Sequence, residues 1–245
     1  DAGSKIFGLL KGMSLRPEFA LAEFVDNSLG SYLKHKKVLA KTKKDFILEV
    51  TLNIDTAHEV ISIKDNAFGI DQEDLSTALT IGASSKGSEM NEFGIGMKLA
   101  GFWFASDWEL RTKALDEPWE KSLKFNVLQL EEDDTTEVSV SYRNVKHNDS
   151  YTEITLTKFN DGRFPGKLVR NKMEMVLKEM YRRYYENAEM KLFFVVDDKE
   201  LLLENEKRPI LKMPFLNKKE NPMHEWKVPI KFSRDKFKIS GWVGL

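Results

Sequence analysis

Apolar residues recur four apart at Leu21, Val25, Leu29 and Leu33, and this spacing predicts a helix. Pro17 suits its first turn. At about 100° per residue, Glu23 and Asn27 fall together on a different face, with Asp26 at its edge. Residues 4–12 form a short apolar segment of helical character, and Lys34 to Lys44 is basic and polar, a solvated loop or the helix end. From Asp45 the period changes to two. Phe46, Leu48, Val50, Leu52 and Ile54 share one face, and Glu49, Thr51 and Asn53 the other, which predicts a half-buried strand. A turn over Asp55 to His58 returns the chain to a second strand, Val60 to Lys64.

That strand runs into Asp65-Asn66-Ala67-Phe68-Gly69-Ile70, after which Asp71 caps a short helix with acidic residues in its first turn. Ile81 to Glu92 is small, polar and glycine-bearing, and reads as a mobile loop. Gly94-Ile95-Gly96 opens a further helix through Met97 to Ala105. Strands are predicted at Asp107–Ala114, Lys121–Leu130, Glu137–Arg143 and Tyr151–Phe159, a long helix at Lys167–Glu186, and a strand at Met190–Val196 with a turn at Asp197-Asp198. Further strands are suggested at Trp226–Phe232 and Phe237–Val243. Helix, hairpin, helices, meander and helix in this order predict an α/β (α+β) fold: a two-layer sandwich, its sheet mixed but mainly antiparallel, with helices on one face. Residues 1–200 are expected to form one domain, and 201–245 a linker and the opening strands of a following domain cut short.

Composition narrows the function. With 38 basic against 39 acidic residues the formal net charge is −1, so no global field draws nucleic acid, and such contact would need a local patch or another domain. The 245 residues include no cysteine, which excludes disulfides and thiolate metal sites and suits a reducing, cytoplasmic setting. No apolar run approaches about 18 residues, so no membrane-spanning helix is expected.

The candidate chemistry lies where the periodic elements break. A carboxylate and a carboxamide one helical turn apart, Glu23 and Asn27, either form a solvated polar face or share one small space. In the second case Glu23 can take a proton from water and the Asn27 amide oxygen can ligate Mg²⁺. Asp65, at a strand end, is either an ordinary Asp-Asn turn or an acceptor for an exocyclic amine such as that of adenine, with Gly69 letting a flat ring lie against the backbone. Gly94 and Gly96 are either a flexible helix entry or the place where helix N–H groups receive phosphate. Ser84, Ser85 and Lys86 are donors that could close over a triphosphate as a lid. Lys98, one turn into the helix, reads first as solvated and second as a phosphate contact. Thr152 is either a plain strand threonine or a buried hydroxyl in need of a partner. His35, His58, His147 and His224 lack metal-ligand spacing and read as surface or structural residues.

Taken in order, E-x-x-D-N-S at Glu23, D-N-x-x-G-I at Asp65, F-G-I-G at Phe93 and the strand threonine Thr152 resemble the GHKL ATPases with a Bergerat nucleotide fold. That superfamily includes gyrase B subunits, MutL, the ninety-kilodalton heat-shock chaperones and histidine kinases. The resemblance spans Ser4 to Phe159, and no GxxxxGK[ST], kinase lysine set or early GxGxxG competes with it. It implies Glu23 as general base, Asn27 as Mg²⁺ ligand and Asp65 as reader of the adenine amine, supported by Thr152 directly or through water. Gly69 and Ile70 would line the base pocket. Ser84, Ser85, Lys86, Phe93, Gly94, Ile95, Gly96, Met97 and Lys98 would surround the phosphates. Within the superfamily, the SSK lid, FGIGMK and the segment from Arg182 to Leu202 look most similar to the MORC-type ATPases and their prokaryotic relatives. The sequence departs from the pattern at Ala67 and Asn91, where glycines are usual, at Tyr151 before the threonine, and at Gly30-Ser31, where Asp-Ala is frequent.

The implied function is slow, Mg-dependent ATP hydrolysis driving a clamp-like cycle of an ATP-dependent homodimer, acting on DNA or a protein client through domains outside this sequence. A nucleotide-dependent switch with negligible hydrolysis is the alternative, and Glu23 argues against it because a switch needs no base. A protein kinase on this fold is less favoured, since none of the four histidines sits in a phosphoacceptor setting. Lys227, Lys231, Lys236 and Lys238 lie in alternating segments and are not expected to supply the γ-phosphate lysine that in gyrase, MutL and the chaperones comes from the following domain.

Overall fold

The computed structural model describes residues 5–42, 44–79, 93–135, 137–145, 149–204, 227–234 and 237–244. Contacts divide the chain into two compact units, Asp1–Glu204 and Asn205–Leu245. The second contains one antiparallel hairpin, Lys227–Arg234 with Phe237–Gly244.

In the first unit, helix α1 (Lys5–Gly12) and the 26-residue helix α2 (Pro17–Thr42) precede the hairpin β1 (Leu48–Asp55) and β2 (Val60–Asp65). Helices α3 (Gln72–Leu79) and α4 (Phe93–Phe104) follow, then β3 (Ala105–Lys113), β4 (Trp119–Asn126), α5 (Val127–Glu132), β5 (Val140–Asn144) and β6 (Tyr151–Phe159). Helices α6 (Lys167–Met180) and α7 (Arg182–Glu186) lead to β7 (Met190–Val196) and β8 (Lys199–Leu202). The eight strands form one sheet in the order β5-β4-β3-β6-β2-β1-β7-β8. Among the described residues only β1 with β7 is a parallel pair. The sheet is therefore mixed and mainly antiparallel, as the order of elements predicts.

Alternation in the strands decides which face the helices cover. Leu48, Val50, Leu52 and Ile54 of β1, Ile61 and Ile63 of β2, Trp108 and Leu110 of β3, and Ile154 and Leu156 of β6 are all buried in one core with Leu21, Phe24, Val25 and Leu29 of α2 and Ala100, Phe102 and Trp103 of α4. The intervening residues Glu49, Lys64 and Arg111 stand on the other, polar face. The layer arrangement follows from period-two strands meeting period-3.6 helices.

Several boundaries differ from expectation. Lys34 to Thr42 continues α2, because Tyr32 and Leu39 carry the buried stripe onward while the lysines stay outside. Leu33 is exposed, since four-residue steps advance about 40° each and rotate the fourth residue of the series off the stripe. The predicted strand over Lys121–Leu130 ends at Asn126, whose side chain accepts the Gln129 N–H at 3.0 Å and starts α5. The predicted helix Lys167–Glu186 is broken at Tyr181.

Candidate functional site

Helix α2 sets the site because its length lets one face reach two different neighbours. Ser28, one residue beyond Asn27, is buried and directs its hydroxyl to Oδ2 of Asp65 at 2.6 Å, with the Phe24 carbonyl a longer contact at 3.2 Å. Asp65 ends β2 and is itself buried. Its Oδ1 accepts the Ala67 N–H at 2.9 Å and the Thr152 N–H at 3.2 Å. Three donors thus fix the carboxylate, and Oδ2 retains room for one more. Burial pushes the Asp65 carboxyl above the usual carboxylate range, against the lowering effect of the Ser28, Ala67 and Thr152 bonds.

The turn after Asp65 is pinned to the sheet. Thr112 of β3, fully buried, accepts the Ile70 N–H at 2.9 Å, donates to the Tyr151 carbonyl at 3.0 Å and lies 3.2 Å from the Thr152 hydroxyl. Support for Asp65 from Thr152 therefore comes through the backbone amide, and the Thr152 hydroxyl belongs with Thr112. Lys121 donates to the Ile70 carbonyl at 2.9 Å. Gly69 has φ +81°, and a Cβ there would stand 2.2 Å from the Lys113 carbonyl oxygen. Its glycine is demanded by this close chain crossing. Ala67 has no positive φ, so alanine is accommodated where a glycine is usual. Phe68 stacks on His35 of α2, centroids 3.9 Å apart, which gives that histidine a structural role.

The other end of the site is made by α2 and α4. Glu23 is exposed and Asn27 half-buried. The Asn27 amide nitrogen donates to the Glu23 carbonyl at 2.6 Å, which leaves its amide oxygen available as a ligand. Gly94 and Gly96 fall in the first turn of α4. A Cβ on Gly96 would lie 2.2 Å from Oε2 of Glu23, so the carboxylate rests directly against that turn, where helix N–H groups have no helical partner.

Met97 belongs to the hydrophobic core. Lys98 is only 5% exposed, and the expectation of a solvated side chain is wrong. Burial alone lowers its ammonium to about 8. Among the described residues it forms no ion pair. α4 packs among other helices and the sheet, so even its polar side chain is enclosed. Ser84, Ser85 and Lys86 lie outside the described residues, as does Asn91. Phe93 and Ile95 occupy the first turn of α4.

Sequence reading missed Ser28, Thr112 and Tyr181. Ser28 is visible within the E-x-x-D-N-S string as the next residue along the helix. Thr112 becomes visible only through the register of β3 with β6, in which it faces Thr152. The hydroxyl of Tyr181, 155 residues from Asp26 along the chain, has no local signal.

Comparison with known proteins identifies the family and the fold. A profile of the family described as histidine kinase-, DNA gyrase B- and HSP90-like ATPase matches residues 13–153. This is more than half of the 245 residues, and the chain belongs to that family. No curated protein matches the sequence. Among solved structures, 398 chains match. One is the Aquifex aeolicus MutL ATPase domain complexed with ADP, at TM-score 0.50 and 18% identity, covering 79% of this chain and 66% of that one. At this identity the likeness shows the fold, and the present chain spans just under two thirds of the relative's length.

Proposed function

We propose that this member of the gyrase B- and HSP90-like ATPases binds Mg·ATP between α2, α4 and the end of β2 and hydrolyses it with Glu23 as general base. The observation that carries the reading is the placing of the Glu23 carboxylate against Gly96 in the first turn of α4. A base there stands beside amides suited to phosphate, while Ser28, on the following turn of the same helix, orients Asp65.

In this reading Asp65 accepts the adenine amine, and the first turn of α4 receives the phosphates. Lys98, buried without a carboxylate among the described residues, gains a counter-charge from them. Glu23 takes a proton from water as the water oxygen bonds the γ-phosphorus. The bond from that phosphorus to the β–γ bridging oxygen breaks, leaving ADP and phosphate. Magnesium, when bound, offsets phosphate charge. The free amide oxygen of Asn27 fits it, and with no group of three or more acidic or histidine side chains gathered among the described residues, its other ligands would be phosphates and water.

The wider cycle belongs to the same proposal: pairing of ATP-bound protomers and action on DNA or a protein client, as the superfamily resemblance implies, with the MORC-type ATPases as the most similar branch. Residues 205–245 would form a separate unit, the division falling after β8 and not at the expected 200/201 boundary. The absence of cysteine suits a cytoplasmic setting. No helix among the described residues is long and apolar enough to cross a membrane.

Calorimetric titration with Mg·ATP and Mg·GTP tests the base-reading half. ATP should bind and GTP should bind far more weakly, because guanine carries a carbonyl where adenine carries its amine; equal affinities would remove Asp65 from that role. Pairing is tested by the hydrolysis rate per protomer, which should rise with protein concentration; a constant rate would remove the dimer cycle.

A further inference from the structure

The turn of α2 that carries Glu23 is gripped by one side chain from another part of the chain. Tyr181 occupies the break between α6 and α7, with φ −99° and ψ 11°, and is 2% exposed. Its hydroxyl lies 2.8 Å from Oδ1 of Asp26 and 3.1 Å from the carbonyl oxygen of Ala22. A phenol has one hydrogen to give, so the shorter, charge-assisted bond to Asp26 dominates and the Ala22 carbonyl is a second branch. Ala22 immediately precedes Glu23 and Asp26 follows it by three residues. The contact therefore brackets the single turn from which Glu23 projects toward Gly96.

The same burial could be had from phenylalanine without a hydroxyl to satisfy, since a buried hydroxyl is costly unless bonded. What the oxygen adds is a fixed position of α2 along and about its own axis at this turn. Other polar contacts of α2 lie off this turn: Ser28 bonds Asp65 at 2.6 Å beyond it and Glu18 pairs with Lys172 at 2.6 Å before it, while the neighbouring contacts of Leu21, Phe24 and Val25 are apolar and tolerate small sliding. A general base works only when its oxygen is within hydrogen-bond reach of the attacking water, so a small displacement of the turn is felt in the rate rather than in binding.

We infer that Tyr181 is a positioning residue for hydrolysis, whose hydroxyl, through Asp26 and Ala22, holds the Glu23 turn of α2 in register with α4. This rests on the ATPase reading above.

The test measures kcat, affinity for a non-hydrolysable Mg·ATP analogue, and thermal unfolding for wild type, Tyr181→Phe, Asp26→Ala, Asp26→Asn and the double variant Tyr181→Phe/Asp26→Ala. Tyr181→Phe should lower kcat roughly ten- to hundredfold, with analogue affinity within about twofold of wild type. Asp26→Ala should fall by a similar factor, and Asp26→Asn, which keeps an acceptor, by less. The double variant should be no slower than the worse single one, since both remove one contact. Retention of analogue binding reports that each variant is folded. A wild-type kcat for Tyr181→Phe, a parallel loss of affinity and rate, or losses that multiply in the double variant would overturn the inference. Glu23→Ala runs alongside as the control that separates the two readings. If it leaves hydrolysis unchanged, the catalytic assignment fails and this inference with it. If it abolishes hydrolysis while Tyr181→Phe does not reduce it, only the positioning role fails.

Discussion

The two ends of the proposed nucleotide site are built on different terms. At the Asp65 end every group is fixed before a ligand arrives: the carboxylate takes three donors, the following turn is bonded to Thr112 and Lys121, and Gly69 is wedged against the Lys113 backbone. At the Glu23 end the base is exposed, Asn27 has an unused amide oxygen, and Lys98 is a buried ammonium with no ion pair among the described residues. On the proposed reading the difference is a division of labour. Base recognition would be a property of the sheet and the rigid turn, which is preorganised. The Glu23 end would have its charges completed by phosphate and metal, so that substrate binding itself would assemble it.

Substitutions can break this comparison, starting with the largest effect. Glu23→Ala should cut turnover by about 10²–10⁴-fold while leaving nucleotide affinity nearly intact, read by phosphate release alongside calorimetry. Parallel loss of both would make Glu23 structural. Alanine at two glycines contrasts the ends directly. Gly69→Ala meets backbone at positive φ and should cost about 2–4 kcal/mol of stability in urea unfolding. Gly96→Ala meets only the flexible end of Glu23, so it should spare the fold and lower kcat. An unstable Gly96→Ala with a stable Gly69→Ala would reverse the assignment of rigid and adaptable ends. Asp65→Asn should weaken ATP by about 1–3 kcal/mol, because an acceptor facing the amine becomes partly a donor.

The smallest effect concerns pH. Lys98 releases its proton at about 8 in the folded chain, below the ordinary lysine value of 10.5. Between these values the unfolded chain binds more protons, so stability without nucleotide should rise as pH increases from about 8 to about 10.5. Nucleotide phosphates favour the charged form, and ATP affinity should fall as pH rises through the same window. Lys98→Met should flatten both trends; a pH dependence that survives the substitution would assign it elsewhere.

Legibility in the sequence followed the range of the interactions. Strands β6 and β7 match expectation at both ends, because alternation is local and strong in each. The lysine-rich tail of α2 reads as either a loop or the helix end, and only the buried Tyr32 and Leu39, which continue the stripe, decide for helix. Glu23 and Asn27 could be paired from helical spacing alone, and Asp65 from its place at a strand end before a glycine turn. Lys98 could not be read correctly: a lysine on a helix is ordinarily solvated, and only tertiary packing encloses this one. Apart from the Ala67 amide, two residues on, the partners of Asp65 and of the Glu23 turn come from residues 37 to 159 positions away, through strand register and helix packing that no local pattern encodes.

The central claim is that one ligand spans both ends, and the most direct measurement is a crystal structure with a non-hydrolysable ATP analogue and magnesium. The account predicts the adenine amine on Oδ2 of Asp65, the phosphates on the first turn of α4, and the γ-phosphate beside Glu23. A nucleotide seated away from Asp65, or a triphosphate that leaves Glu23 and the α4 amides untouched, would contradict it.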